Sequence, residues 1–536
     1  MSLGTDDPDD GFNQPRAAGS ADLWVQDRVL SEYTTRFEGA APVLAGFGAR
    51  LGSGEMRQAG ADAMRFVPEL LQYDRGGRRL DEVRYHPAYH QLMAEGLSAG
   101  YAACPWEGDA GGHVTHAALV YLQSQVEPGV ACPMTMTYAA IPTLSGALAD
   151  RWRPRLMSRN YDRTACPADR KTGATMGMAM TEKQGGSDLR SNSTRAAPDG
   201  EGFRLTGHKW FCSAPMSDAF LTLAQAPGGL SCFLVPRWLP DGTRNAIRLM
   251  RLKDKLGNRA NASAEIEYHG AWAEILGSEG DGVRQIIRMV HHTRLDTAMA
   301  PAGLMRAALA EAHWWCEGRT VFQRKLIDQP LMRAVLADLA LDWEAATALG
   351  LRVAAAFGQA EEAPFARIAV ALAKYLNNKR CPNVIYEAME CLGGMGYTED
   401  TPMPMLYREA PLNSIWEGSG NVICLDILRT LARDPDSAAA LTAELDAAKG
   451  ADRRYDTALE AHRQRWPKGS EEAQARWFAE RCGVLLSASV LLRYAPAAVA
   501  DGYILTRVCG ERGAVAGAVH GFDTDALIAR IAPKTA

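Results

Sequence analysis

Residues 179–188 read AMTEKQGGSD and lie where the pattern of the sequence changes. Before them, apolar residues recur at three- and four-residue spacing, which is typical of helices. After them come short alternating apolar and polar runs, separated by turn dipeptides such as Asp199-Gly200, which are typical of antiparallel strands. This stretch therefore marks the boundary between a helical part and a β part of the chain.

The same stretch carries groups that suit a cofactor. The hydroxyls of Thr181 and Ser187, together with the Gly185-Gly186 turn, offer hydrogen-bond donors without bulk. Such donors suit the edge of a flavin or a pyrophosphate. A solvated surface loop is the alternative interpretation on the residues alone.

Working outward from this boundary, the pattern predicts an α+β protein of four parts. They are an N-terminal helical domain (1–172), a middle antiparallel β domain (173–280), a helical-bundle domain (281–435) and an added helical domain (436–536). We expect strands within Phe203–Trp210, Phe220–Gln225, Ser231–Val235 and Ala264–Tyr268, and helices within Val283–Arg319, Pro330–Gly358 and Phe365–Leu392.

Composition narrows the class of protein. The 536 residues carry 58 Lys and Arg against 63 Asp and Glu, a formal net charge of −5, and 47% of them are hydrophobic. This balance predicts a globular protein that is not basic over its whole surface. No apolar run is long enough for a membrane span, and the acidic first residues do not resemble a secretory signal. The 11 cysteines include no CxxC pair, so we expect reduced thiols, no metal site and a cytoplasmic protein.

Several motifs together resemble the acyl-CoA dehydrogenase family. AMTEKQGGSD matches the family signature at its fixed positions, and HKWFCS (208–213) resembles the strand whose Trp lies against the flavin. RTVF (319–322) is similar to the family's Arg-x-x-Phe-Gly, with Gln323 in place of the glycine. ECLGGMGY (390–397) and IWEGSGN (415–421) resemble the Gly-Gly cofactor loop and the catalytic segment.

The resemblance implies bound FAD and a homotetramer, because in this family the arginine motif and the Gly-Gly loop contact the cofactor of a neighbouring subunit. Trp210 could otherwise be an ordinary core aromatic. The residues implied for FAD are Met178, Thr181, Gly186, Ser187, Trp210, Phe211, Ser213, Arg319, Gly393, Gly394, Glu417, Gly418, Ser419 and Asn421.

Glu417 is the residue that the resemblance implies as catalytic base. Dehydrogenation of an acyl-CoA thioester needs a base at the α carbon while the flavin takes hydride from the β carbon. The reduced flavin then needs an electron acceptor. A minority of the family carries its base in a Glu-Arg dipeptide on the long helix, and that position here reads Thr293-Arg294. A glutamate on a solvated loop is the alternative for Glu417.

The added domain resembles that of a branch of the family in the bacterial adaptive response to DNA alkylation. This branch binds double-stranded DNA with little sequence preference and has weak activity on short branched acyl-CoA. Residues 436–536 hold thirteen Lys and Arg and thirteen Asp and Glu, so charge alone does not demand DNA. The basic residues expected to contact phosphates are Arg429, Arg433, Arg453, Arg454, Arg463, Arg465 and Lys468.

Two other functions remain compatible with these residues. One is a metabolic acyl-CoA dehydrogenase in which the last hundred residues only support oligomerisation. The other is a DNA-binding shield whose flavin is structural and whose Glu417 is idle. Flavin reduction by acyl-CoA separates these two hypotheses, and a salt-dependent DNA titration separates the first from a DNA-protective enzyme.

Overall fold

Four groups of elements follow one another in the computed structural model, which describes residues 12–15, 20–109 and 111–534. The first group is mostly helical. It comprises α1 (Arg28–Arg36), α2 (Ala41–Leu51), α3 (Gly54–Arg65), β1 (Glu69–Tyr73), β2 (Arg79–Arg84), α4 (Pro87–Ser98), α5 (Gly112–Ser124), α6 (Ala131–Ala140) and α7 (Gly146–Leu156).

The second group is a seven-stranded sheet. Its strands are β3 (Met176–Ala179), β4 (Arg195–Asp199), β5 (Gly202–Ser213), β6 (Ala219–Ala226), β7 (Gly229–Pro236), β8 (Ile247–Leu252) and β9 (Ser263–Leu276). The pairings β4–β5, β5–β9, β9–β7, β7–β6 and β6–β4 close a ring, with β3 and β8 alongside.

Two sequence expectations need correction here. The sheet is mixed rather than antiparallel, because β3 and β6 pair in parallel, with Met176 opposite Ala219. The N-terminal part is not purely helical, because β1 and β2 form an antiparallel hairpin in which Leu70 pairs with Val83. That hairpin is polar and only partly buried, so it lacks the clean alternation that betrays a strand in a sequence.

The third group is the helical bundle. It contains α8 (Gly282–Gly318), β10 (Thr320–Val321), β11 (Arg324–Lys325), α9 (Pro330–Phe357), α10 (Ala363–Cys391), α11 (Met403–Glu409) and α12 (Gly420–Arg433). Helices α8, α9 and α10 pack against one another, and α5 lies against α8 and α9. Every residue of α5 is buried, so the bundle and the N-terminal helices share one apolar core.

The fourth group is α13 (Pro435–Asp446), α14 (Arg453–Arg465), α15 (Ala475–Tyr494), α16 (Ala497–Tyr503) and α17 (Thr524–Ile531). Helices α13, α14 and α17 each begin after an aspartate whose carboxylate accepts a backbone N–H of the first turn, which satisfies a donor that the helix leaves free. Helix α15 packs on α9, α10 and α12, and α17 packs on α9. The added helices are therefore docked on the bundle.

Buried ion pairs hold the added helices on the bundle. Arg507 binds Asp338 and, at 2.8 Å, Asp342, both on α9. Arg530 of α17 binds Glu344, also on α9, at 2.7 Å. Several cations of the added domain thus neutralise acids of the bundle and are not available to a partner.

Candidate functional site

The segment that follows β3 is hydrogen-bonded to the backbone of the strand that carries Trp210. The backbone N–H of Trp210 donates to the carbonyl of Thr181 over 2.8 Å. Met178 of β3 is half-buried, and Phe211 next to Trp210 is exposed. The sequence motif and the predicted flavin-facing strand therefore form one continuous surface.

A buried ion pair holds this surface in place. Lys209 Nζ donates to Glu182 Oε1 over 2.8 Å, and neither side chain is exposed to solvent. Glu182 also accepts the backbone N–H groups of Ser193 and Thr194. Burial works in the other direction, but these hydrogen bonds, led by Lys209, hold the pKa of Glu182 below its usual range. The sequence analysis did not find this pair, since nothing local links the two residues.

The hydroxyls of Thr181 and Ser187 are free to bind a ligand. Within the described residues neither hydroxyl takes part in a hydrogen bond, and Ser187 is exposed. Gly186 lies so close to Thr181 that a β carbon there would come within 2.4 Å of the threonine Oγ1. The glycine is thus needed for the close approach of the loop to Thr181.

Glu417 lies at an unusual backbone position between the bundle helices. Its φ is +57° and that of Gly418 is +101°, so a non-glycine residue is held in the left-handed region, as often happens at functional sites. Thr293 Oγ1 of α8 donates to Glu417 Oε2 over 2.6 Å, and Arg294 Nε donates to the Glu417 carbonyl over 3.3 Å. The two positions at which the family carries its base therefore meet in space.

Burial raises the pKa of the Glu417 carboxyl, although the hydrogen bond from Thr293 and the charges of Lys374 and Arg294 act against this shift. A carboxylate with a raised pKa is a stronger base than an ordinary glutamate. This is the property that proton abstraction from carbon requires.

Lys374 of α10 clamps the loop that carries Glu417. Its Nζ donates to the carbonyl of Asn413 and to that of Gly418, each over 2.9 Å. The side chain is buried, and burial lowers its pKa to about 7. The sequence analysis missed this residue, because a lysine inside a long helix carries no local signal of its partner.

Cys132 of α6 connects the base to the β domain. Burial raises the pKa of its thiol to about 12, and the charges of Lys255 and Glu417 and the nearby side chain of Ser213 also act on this pKa. Ser213 in turn lies 3.4 Å from Ser263 across the sheet. The predicted base and the end of the predicted flavin-facing strand therefore converge on one place.

Other predicted cofactor residues lie apart from this junction, on the surface. Arg319 Nη1 donates to the carbonyl of Asn13, and Asn13 also exchanges two hydrogen bonds with Thr320. Gln323 has a φ of +66°, which explains why the family has a glycine at this place. Gly393 and Gly394 have open space where a β carbon would lie, and Ser419 and Asn421 are exposed at the start of α12.

The predicted DNA-contacting residues fall into two groups. Arg454 binds Asp452 and Asp501, each at 2.6 Å, and Arg463 binds Asp446 at 3.0 Å, so acids already neutralise both. The exposed residues are Arg429, Arg433, Arg453, Arg465 and Lys468. None of these five has an acidic side chain within ion-pair distance among the described residues.

Arg465 also takes part in an exposed aromatic contact. Its guanidinium lies 4.5 Å from the ring centroid of Trp477, which is itself 47% exposed. The residue before this tryptophan, Arg476, donates to Asn421 over 3.1 Å. The added domain therefore reaches the loop predicted to bind cofactor, a contact that the sequence did not indicate.

Within the described part of the chain, no three His, Cys, Asp or Glu side chains are grouped to hold a metal ion. No helix among the same residues is both long and apolar enough to cross a membrane.

Comparison with known protein families gives three matches along the chain. Residues 13–163 match the adaptive response protein AidB N-terminal domain, residues 177–271 the acyl-CoA dehydrogenase middle domain, and residues 280–432 the acyl-CoA dehydrogenase C-terminal domain. The chain therefore belongs to the acyl-CoA dehydrogenase family, as its motifs predicted, and the predicted fold class is confirmed.

Individual relatives place it further within the family. The chain is 46% identical over 504 residues to the putative acyl-CoA dehydrogenase AidB of Escherichia coli K12, covering 92% of this chain and 93% of that protein. It is 33% identical over 433 residues to acyl-CoA dehydrogenase family member 11 of Caenorhabditis elegans, covering 76% and 70%. The predicted resemblance to AidB is thus confirmed.

Two solved structures are similar to this chain over most of its length. The crystal structure of C. elegans ACDH-11 in complex with C11-CoA superposes with a TM-score of 0.83 at 27% identity, covering 97% of this chain and 96% of that one. The apo form of Bd2924 gives 0.82 at 29% identity, covering 90% and 99%. The comparison with ACDH-11 covers nearly the whole chain, so it includes the added helices as well as the enzyme domains.

Proposed function

We propose that this protein is an FAD-dependent acyl-CoA dehydrogenase of the AidB type, with Glu417 as its base, and that it also binds double-stranded DNA. The observation that carries the enzymatic part is the position of Glu417. Its carboxylate accepts the hydroxyl of Thr293 over 2.6 Å, at the place where the two base positions of the family meet, and burial raises its pKa.

The residues around Trp210 fit a flavin. Trp210 is half-buried on the strand bonded to Thr181, and Lys253 Nζ lies 3.5 Å from its ring centroid, so one face of the indole remains for a ligand. Thr181 and the exposed Ser187 add hydroxyl donors without bulk. A flat aromatic wall with donors at its rim suits the isoalloxazine ring. Bound FAD would supply the hydride acceptor.

The chain itself supplies the proton chemistry. Glu417 removes the proton from the carbon next to the thioester carbonyl. The hydroxyl of Thr293 donates to Oε2 of the Glu417 carboxylate and so holds the side chain in place. Lys374 and Arg294 fix the backbone on both sides of the base. Glu417 is partly buried, and a substrate bound over its carboxylate would exclude the remaining water.

A homotetramer explains several exposed apolar side chains. Phe322, in the hairpin after Arg319, is 90% exposed, and Tyr397, after the Gly-Gly turn, is 85% exposed. Large apolar groups in such positions favour contact with another subunit. In this proposal Arg319, Gly393 and Gly394 complete a neighbour's cofactor site, and light scattering of the FAD-loaded protein should give four subunits.

DNA binding and protection from alkylation rest on the added domain. The relationship to AidB spans this domain, and the exposed, unpaired Arg453, Arg465 and Lys468 lie along one helix and the turn after it. Contacts of this kind are made to phosphates and carry little sequence preference. A purely metabolic acyl-CoA dehydrogenase, whose added helices serve only docking, is the competing function.

One experiment tests both parts. Purified protein is mixed anaerobically with a panel of acyl-CoA thioesters, including isovaleryl-CoA, and flavin bleaching is followed with and without duplex DNA. Bleaching together with salt-sensitive DNA binding supports the proposal. Bleaching without DNA binding at low salt favours the metabolic function, and DNA binding without any bleaching favours a shield with an idle Glu417.

A further inference from the structure

A cavity of about 490 Å³ lies where the N-terminal helices meet the β domain. Pro133 of α6 lines it, whereas the preceding Cys132 belongs to the junction around Glu417. Glu417 itself does not line the cavity. This space is therefore a neighbour of the proposed active site and is separated from it by α6.

Arg237 forms part of the cavity wall and has an unusual environment. Only 8% of it is exposed, and no acidic side chain of the described residues lies within ion-pair distance of it. Its Nη1 donates to the Met216 carbonyl over 2.8 Å. Burying an arginine without a carboxylate partner costs free energy, because the guanidinium loses its hydration and gains no equivalent interaction.

The acid whose charge acts most on Arg237, Asp218, is already committed. Its Oδ1 accepts from Lys171 Nζ over 2.7 Å, and its Oδ2 accepts the backbone N–H of Thr175 over 2.8 Å. With Asp218 included, the charged groups of the wall are four cations and three acids, an excess of one positive charge; they are Arg84, Arg163, Lys171, Arg237, Glu82, Asp162 and Asp218. Burial lowers the pKa of Arg237, and the charges of Asp218 and Glu82 act against this shift.

Two further polar atoms of the wall have no partner. The hydroxyl of Tyr85 and that of Ser217 are buried and make no hydrogen bond, although Ser217 is only 2% exposed. Buried donors are nearly always satisfied in folded proteins. Together with the free nitrogens of Arg237, they form a set of donors that lacks an acceptor.

The remaining wall is aromatic. The rings of Tyr85 and Tyr89 stack at 4.0 Å, and Tyr161 approaches His90 Nδ1 to 2.8 Å. Such rings favour a flat ligand body. The volume is in the range of sites for small organic molecules.

We propose that this cavity binds a small aromatic anion, with its carboxylate or phosphate on Arg237, Ser217 and Tyr85 and its ring against Tyr89 and Tyr161. The negative group supplies the missing charge and accepts the unsatisfied donors. A neutral analogue of the same shape satisfies neither requirement.

Calorimetric titration of the full FAD-loaded protein tests this site. The probes are benzoate and phenyl phosphate, with benzyl alcohol as the neutral analogue, all at constant ionic strength. We expect at least one of the two anions to bind. Benzyl alcohol should bind at least about tenfold more weakly than that anion. The tighter of the two anions identifies the acidic group.

Variants locate the binding. Ser217→Ala and Tyr85→Phe remove hydroxyls that bond to nothing in the protein, so folding should be preserved, and each should weaken binding about three- to tenfold. Arg237→Gln should abolish it, whereas Arg84→Gln, at the exposed rim, is the matched control and should change it little. Absence of heat from both anions at millimolar concentration overturns the proposal. Binding that is unaltered in all three wall variants also overturns it.

Discussion

At the scale of single residues, the arrangement around Glu417 joins two positions that the sequence presents as alternatives. Thr293 occupies the place where part of the family carries its base, and here its hydroxyl binds the carboxylate of Glu417. A hydrogen bond to the ionised form of an acid lowers its pKa. Thr293 therefore moderates the upward shift that burial imposes on Glu417.

Replacing Thr293 by valine should raise the pKa of Glu417 further. The hydrogen bond from Thr293 stabilises the ionised carboxylate, so its loss leaves the upward effect of burial less opposed. Since the base acts in its ionised form, the rate of flavin reduction rises with pH through this pKa, and the rise should move to higher pH in Thr293→Val. Stopped-flow reduction across a pH series measures it.

Thr297→Val is the matched control, because Thr297 lies one turn further along α8 and its hydroxyl donates only to the carbonyl of Arg294. Its pH profile should coincide with that of the wild type. A Thr293→Val profile that also coincides with the wild type would show that the hydroxyl does not act on the base.

At the scale of elements, the loop between α11 and α12 owes its shape to a side chain from another helix. Lys374 of α10 ties the carbonyls of Asn413 and Gly418, which flank the base. Arg294 of α8 adds a hydrogen bond to the carbonyl of Glu417 itself. The two hydrogen bonds of Lys374 therefore hold the backbone that positions the Glu417 carboxylate.

Lys374→Met should lower the kcat for flavin reduction about ten- to a hundredfold, because small displacements of a reacting group cost rates of this order. KM should stay near the wild-type value, and rates are compared at equal FAD content, because Lys374 also holds the carbonyl of Gly418, a predicted cofactor residue. Arg380→Met is the control, because it removes only a partly exposed ion pair with Glu480. A proportional loss of FAD in Lys374→Met would point to unfolding of the loop instead.

The elements also show what a sequence can predict. Long periodic runs located α8, α9 and α10 within one or two residues, and strands β5, β6, β7 and β9 contain the predicted runs. The short β4 and the β1–β2 hairpin escaped, because polar, partly buried strands show no regular pattern. Strand β8 alternates between buried and exposed residues over only about four positions, too few to stand out. Motifs indicated Thr181, Trp210 and Glu417, but their long-range partners Lys209, Lys374 and Cys132 depend on tertiary contacts that no local pattern carries.

At the scale of the whole molecule, net charge is a poor guide to the added domain. Its zero balance combines arginines that dock the domain, such as Arg507 and Arg530, with arginines that face solvent. Only the arginines that face solvent can contact a polyanion such as DNA. The DNA proposal therefore depends on which cations are free, not on how many there are.

Arg453 and Arg454 are neighbours and provide a sharp comparison. Arg453→Ala together with Arg465→Ala should weaken duplex binding for all sequences and flatten the dependence of log affinity on log salt by about one unit per lost phosphate contact. Arg454→Ala should change the salt slope little, because Asp452 and Asp501 already neutralise this residue. Fluorescence anisotropy at several salt concentrations measures both. Equal slopes in all three proteins would remove these arginines from the DNA surface.

The central claim is that Glu417 is the base of a flavin-dependent dehydrogenation, and anaerobic flavin bleaching by a reactive acyl-CoA tests it most directly. Glu417→Gln keeps the shape of the side chain and a partner for Thr293 but cannot accept the proton. With FAD content matched to that of the wild type, we predict that bleaching of Glu417→Gln slows by several orders of magnitude. Bleaching at the wild-type rate would contradict the account and assign the proton to another group.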